Sequence, residues 1–119
     1  MYQKHYWRRG DVFFAELTAE STHVHCGNRP WLILQNNTGN RTSPTTIVAP
    51  LTTSMRHAYL DTHVIVQAPW LPMTSVVCLE QIRTVDKSDD WDYIGHFDAD
   101  TMRRVDAAIL VSLGVQQDG

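Results

Sequence analysis

The chain has only two cysteines in 119 residues, Cys26 and Cys78. That is too few for the disulfide framework of a small secreted domain, so both are read as thiols. Long apolar runs are also missing. The longest uncharged stretches are interrupted by Pro69 and Pro72, and no hydrophobic leader opens the chain, so neither a signal peptide nor a membrane span is expected. The expected location is the cytoplasm. There is no internal repeat, low-complexity tract or long linker. Positive charge is scarce as well: the net charge is -3, which by itself argues against strong long-range attraction to nucleic acid. The charge is unevenly spread, however. Residues 1–85 carry seven Lys/Arg against five Asp/Glu, and the remainder carries three against eight. A phosphate-binding face can therefore exist locally on the N-terminal part.

A chain of this length suits a single domain over residues 1–119, and such a domain removes roughly two-thirds of its unfolded surface from water. Asp11 to Leu17, Trp31 to Gln35, Thr45 to Leu51, Thr62 to Gln67 and Ser75 to Thr84 are rich in Val, Ile, Thr and aromatics. Turn-forming residues bound them, so they predict five strands. Asn36-Asn37-Thr38-Gly39-Asn40 has hairpin-turn chemistry, which makes the second and third strands antiparallel neighbours. Further on, the period changes. Asp98 is a good N-cap, Met102, Val105, Ile109 and Leu113 recur at helical spacing, and Gly114 stands where a C-terminal cap belongs. The charged stretch from Lys87 to Tyr93 reads as a solvated face rather than a helix. The expected class is mainly β, with a C-terminal helix lying on the sheet.

Two short segments carry the chemistry. Gly27-Asn28-Arg29-Pro30 precedes the apolar run Trp31 to Leu34, and Pro50-Leu51-Thr52-Thr53-Ser54 follows Thr46 to Ala49. Arginine offers a permanently charged fork that matches phosphate oxygens, and a threonine hydroxyl can donate to the same group. Antiparallel pairing of the two strands would bring Arg29 near Thr52. On residue type alone, the alternatives are an ordinary ion pair of Arg29 with Glu16 or Glu80, and a strand-end hydroxyl of Thr52 bonded to backbone.

The motifs Arg9-Gly10-Asp11-Val12-Phe13-Phe14-Ala15, Gly27-Asn28-Arg29-Pro30, Leu34-Gln35-Asn36-Asn37, Gly39-Asn40-Arg41, Ser43-Pro44-Thr45, Thr62-His63-Val64, Leu79-Glu80-Gln81-Ile82-Arg83-Thr84-Val85-Asp86-Lys87 and Ile94-Gly95-His96 stand in order and in register. From about Arg8 to Gly114 the sequence resembles the MazF/PemK toxins. The resemblance implies an SH3-like barrel of the CcdB/MazF/PemK type and a homodimer. It also implies a metal-independent, sequence-specific endoribonuclease acting on single-stranded RNA, held inactive by a cognate MazE-like antitoxin. The family's catalytic arginine falls on Arg29 and its catalytic threonine on Thr52. No metal or other cofactor is expected. Cleavage would use the substrate's 2′-hydroxyl and leave 2′,3′-cyclic phosphate and 5′-hydroxyl ends. Arg29, whose guanidinium is permanently protonated, is a poor base and suits charge stabilisation and proton donation to the departing 5′-oxygen; the general base stays unassigned.

The loop ahead of Arg29 departs from the family pattern. Many relatives carry a glycine-rich stretch there, whereas this chain reads Thr22-His23-Val24-His25-Cys26-Gly27. Solvated histidines are the first reading of this loop, catalytic help from His25 the second, and a metal on His23, His25 and Cys26 the third. Asn36, Thr53, Ser54, Glu80 and Gln81 are candidate RNA contacts, and Tyr59 and Trp70 candidate stacking partners. Each also has a structural alternative: turn formation for Asn36, strand-edge pairing for Gln81, core packing for Trp70. His63 reads as packed or paired within a strand, and Cys78 as a small buried hydrophobe. Two rival functions remain open at this level. One is a non-catalytic inhibitor like the gyrase-poisoning CcdB, and the other is a weakened toxin acting mainly through antitoxin binding and autorepression.

Overall fold

Alternating apolar positions shape the sheet and explain why both of its faces are covered. The computed structural model describes residues 7–18 and 26–115. In β1 (Asp11–Leu17), Val12 joins one apolar cluster while Phe13 and Ala15 join another, as period-two side-chain direction requires. The strands β2 (Gly27–Ile33) and β3 (Thr45–Thr52) repeat the division. Leu32, Ala49 and Leu51 fall on the first side, and Trp31, Ile33 and Val48 on the second. The sheet continues through β4 (His63–Val66), β5 (Ser75–Cys78), β6 (Arg83–Asp86) and β7 (Asp92–His96), in the order β4-β5-β3-β2-β1-β7 with β6 also paired to β3. It curls into a half-barrel.

The first cluster is closed by the C-terminal helix α2 (Ala99–Ser112), whose Val105 and Ala108 are buried against the sheet. Asp98 caps this helix by accepting the Thr101 amide at 2.8 Å, and Gly114 turns the chain out at φ +71, as the sequence predicts. Leu113 corrects the predicted apolar stripe. It forms the C-cap and is exposed, so the stripe ends one turn earlier, at Ile109. The second cluster is closed by aromatics instead, with Trp7 stacked on Phe13 and edge-on to Trp91.

Two further expectations need correction. The predicted hairpin turn between the second and third strands is a short helix, α1 (Asn37–Thr42), with Asn36 as its N-cap accepting the Gly39 amide at 2.8 Å. Asn40 explains the difference. Its buried side chain accepts from the Thr46 hydroxyl and from Gln35 and donates to the Gln35 carbonyl, which ties the connection to β3. The predicted strand from Ser75 to Thr84 is broken by a 3-10 turn at Leu79–Gln81. Both halves pair with β3, but β5 meets Leu51 and Thr52 whereas β6 meets Thr45 to Val48. The turn absorbs the change of register. β7 escaped the sequence reading because Asp92 and Gly95 look like loop residues. It pairs with β1 across a bulge between Val12 and Phe13. Lys87 to Tyr93 form no helix, as expected, but the stretch is not simply a solvated face: Trp91 is buried in the second cluster and Asp92 and Tyr93 open β7. Among the described residues, no helix is long and apolar enough to cross a membrane.

Gly95 is required by packing rather than by backbone conformation. A Cβ there would lie 2.0 Å from the Trp70 ring, which itself packs on Phe97. Gly95→Ala is therefore expected to destabilise the fold by about 1–3 kcal/mol in denaturant unfolding. The loss should shrink when Trp70 is also truncated; strictly additive losses would remove the overlap as its cause.

Candidate active site

Residues directly opposite each other in antiparallel strands share a face, and this rule assembles the site. Ala15 of β1 faces Arg29 of β2. Trp31 faces Pro50 of β3, so the same register continued two residues outward sets Arg29 opposite Thr52, both within their strands. Thr52 pairs in turn with Val76 of β5. Cys78, two positions along β5, lies on that face too and pairs directly with His63 of β4. Arg29, Thr52, Cys78 and His63 thus line one side of four neighbouring strands. Buried Trp31 and Ile33 form the dry continuation of the same side.

Local backbone contacts hold the two central groups. Gly27 enters β2 at φ +85, a conformation that suits glycine, and Arg29 Nε donates to the Cys26 carbonyl at 2.9 Å. Thr52 Oγ1 accepts the Ser54 amide at 3.2 Å, and Ser54 Oγ accepts the Arg56 amide at 3.4 Å. Because Thr52 uses its oxygen as an acceptor here, its hydroxyl proton can be donated to a phosphate oxygen. Thr53 and Ser54 follow on the exposed chain beyond β3.

Beside this pair sits a second polar group. His63 Nδ1 lies 2.7 Å from the His57 carbonyl and Nε2 3.0 Å from Glu80 Oε2. A carbonyl only accepts, so Nδ1 is the donor and Nε2 faces the carboxylate. Burial pulls the Glu80 carboxyl upward. The bond from His63, the Glu80 amide, the charge on protonated His63 and the Gln81 side chain outweigh burial and hold the group below its usual range. The Cys78 thiol is pushed up to about 12, chiefly by burial and then by the Glu80 charge, with Arg29 pulling the other way. Arg29 is therefore close enough for its charge to be felt at Cys78.

The other candidates divide. Glu80 and Gln81 occupy the 3-10 turn after β5, next to His63. Asn36 is not brought to this group, since it caps α1 beyond the opposite end of β2 from Arg29. Tyr59 is widely exposed, whereas Trp70 is held by Phe97 and Gly95. His25, like His23, lies outside the described residues. A neighbouring groove of 740 Å³ is lined by Ala15, Asn28, Arg83 and Trp91, but also by Glu16, Asp86, Asp90 and Asp92. Those carboxylates repel phosphate. The groove flanks the shared face of Arg29 and Thr52. Sequence reasoning treated His63 and Cys78 separately. Only the strand register reveals them as a pair.

A family model for the PemK-like, MazF-like toxins of type II toxin-antitoxin systems matches residues 8–113. The chain belongs to this family. The toxin is 44% identical over 110 residues to endoribonuclease EndoA of Bacillus subtilis (strain 168), covering 91% of this chain and 95% of that one. Among solved structures, it resembles an endoribonuclease in complex with its cognate antitoxin from a mycobacterial species. That match has a TM-score of 0.75 and 31% identity over 93% of this chain and 98% of the other. MazF from Deinococcus radiodurans superposes with a TM-score of 0.81 at 20% identity, covering 94% and 100%, and speaks for the fold. By this membership the chain is an endoribonuclease toxin of a toxin-antitoxin system.

The Glu80 environment yields a pH signature. The folded carboxyl titrates below its ordinary value of 4.5, so its contribution to stability is present above that value and is lost as pH falls through the folded pKa. Glu80→Gln should lower the melting temperature slightly at about pH 7, and the difference should shrink as the pH falls below the carboxyl's ordinary value. A difference that stays unchanged with pH would refute the ion-pair account.

Proposed function

We propose that the toxin cuts single-stranded RNA at a short sequence, without a metal ion, by attack of the substrate's own 2′-hydroxyl on the adjacent phosphorus. The products are a 2′,3′-cyclic phosphate and a 5′-hydroxyl. The observation that carries this reading is the shared face of Arg29 and Thr52, with the Thr52 hydroxyl oriented by the Ser54 amide. As the pentacoordinate phosphorane forms, negative charge grows on its equatorial oxygens. Arg29 is the fixed cation that meets this charge and Thr52 the hydrogen-bond donor, both preorganised at the rim of a dry apolar cluster. Arg29 also serves as proton donor to the departing 5′-oxygen and is reprotonated by solvent, which takes up the proton released by the 2′-hydroxyl. Glu80 is an acceptor for base N–H groups or a sugar hydroxyl, and Gln81, Thr53 and Ser54 supply donors as well as acceptors. Specificity for single strands follows, because the bases must be unstacked for their edges to be read.

Further parts of the reading concern partners. A MazE-like antitoxin, in the place of the cognate antitoxin in the mycobacterial complex, would lay carboxylates over Arg29 and block RNA by competition. Exposed Tyr59, Leu60, Ile65 and Val111 border an apolar groove of 500 Å³ beside α2, and these suit a homodimer contact. The toxin acts in the cytoplasm, where its RNA substrate is found. A CcdB-like, non-catalytic action needs no convergence of Arg29 and Thr52, and so is less well supported.

Purified toxin incubated with a long single-stranded RNA in chelator should give site-specific cuts whose 5′ ends accept phosphate from a polynucleotide kinase. DNA of the same sequence should survive. Thr52→Val and Arg29→Ala should each lower the single-turnover rate by roughly a hundredfold to a thousandfold. Intact RNA from a protein that still arrests growth would favour the CcdB-like action instead.

A further inference from the structure

The register of β4 on β5 sets Cys78 directly across from His63, and the 3-10 turn brings Glu80 back to His63. One ligand atom from each of His63, Cys78 and Glu80 lies within 4.8 Å of the other two. We propose that these three residues form a site for a thiophilic divalent cation of the zinc type, and that its occupancy switches the nuclease off.

The argument begins with ligand chemistry. A thiolate, an imidazole and a carboxylate form a mixed soft and borderline set that selects Zn²⁺ over Mg²⁺ or Ca²⁺, which prefer all-oxygen shells. Tetrahedral coordination at about 2.0–2.3 Å places neighbouring ligand atoms roughly 3.3–3.7 Å apart. The Nε2 to Oε2 separation of 3.0 Å needs only to open slightly, and the longer separations need to close by about an ångström. Glu80 is exposed and can supply that movement, while His63 and Cys78 are fixed on adjacent strands.

Orientation of the imidazole supports the same reading independently. His63 Nδ1 donates to the His57 carbonyl at 2.7 Å. A metal-bound histidine is commonly held this way, with the outer nitrogen tied to a backbone carbonyl and the inner one aimed at the ion. Without metal, a proton bridges Nε2 and Oε2. On binding, the ion takes the place of this proton and of the thiol proton, and both pass to solvent. A coordinated thiol is deprotonated outright by the ion, so its burial in the sheet does not bar ligation. Three protein ligands leave one coordination position open toward the exposed side, where water completes the shell.

The regulatory half rests on the proposed RNA-cleaving function. Zinc would withdraw Glu80 from the bases or sugar that it is to contact, beside the Arg29 and Thr52 pair. The thiol is the residue to vary, since it has no part in the cleavage chemistry and sits among Val76, Val77 and Leu79. Replacement by Ala or Val should keep the metal-free nuclease intact.

The test uses full-length toxin stripped with chelator. Equilibrium dialysis should find one Zn²⁺ per chain. Co²⁺ as a spectroscopic substitute should give a thiolate-to-metal charge-transfer band with tetrahedral visible bands. Cys78→Ala and Cys78→Val should both abolish the band and weaken zinc binding by more than about a hundredfold, whereas Cys26→Ser should retain both. Titrated zinc should suppress RNA cleavage by the parent and spare both Cys78 variants. Absence of the band, its persistence without Cys78, or its loss with Cys26 would overturn the site. A band that follows Cys78 with unchanged RNA cleavage would overturn the switch. Because the metal readouts need no RNA, a toxin that cleaves nothing would refute the nuclease reading while leaving the site to stand or fall on its own.

Discussion

The antiparallel register running from β2 through β3 and β5 to β4 is the constraint on which the rest depends. A one-residue slip in any of these pairings would turn Thr52 or Cys78 to the opposite face. The register is locked because β2 and β3 are covered on both sides and because β5 and β4 commit Val77, Val64 and Val66 to the first cluster. Leu32, Ala49, Leu51 and Val77 are committed to the cluster beneath α2, and Trp31, Ile33 and Val48 to the aromatic cluster. Trp31 adds a directional restraint, since its Nε1 donates to the Ala15 carbonyl at 3.1 Å within the buried cluster. The polar groups of the site inherit their positions from these apolar commitments.

On that frame, the reactive side chains are steered by backbone. Cys26 supplies a carbonyl to Arg29, Ser54 an amide to Thr52, and His57 a carbonyl to His63. Backbone groups carry no formal charge, so these three bonds fix direction without themselves adding charge to the site. This also reconciles a net charge of -3 with an RNA-cutting toxin. Long-range attraction is weak, and in the proposed reading the grip is local, charge-assisted and geometric.

The five strand segments and the C-terminal helix were legible because their signals are local: β-branched runs, an Asp N-cap and a Gly beyond the helix end. Breaks in the pattern were less visible. The 3-10 turn at Leu79 exists because two stretches must pair with different parts of β3, and no residue within the turn announces that demand. The short helix after β2 likewise depends on Asn40 finding Gln35 and Thr46. Arg29 and Thr52 stand in clear motifs, and the register of β2 on β3, continued beyond Trp31 and Pro50, sets them on one face. Asn36 stood in an equally clear motif, yet its oxygen is engaged in capping α1.

The sequence by itself determined the period of each element, the supply of a permanent cation and a hydroxyl at two strand ends, and membership of a toxin family, because all of these are written in neighbouring residues. Only the tertiary structure decided that His63, Cys78 and Glu80 meet beside Arg29. Their convergence is set by cross-strand register and a three-residue turn, and pairing between distant segments is governed by the packing of the whole sheet rather than by any local run of residues.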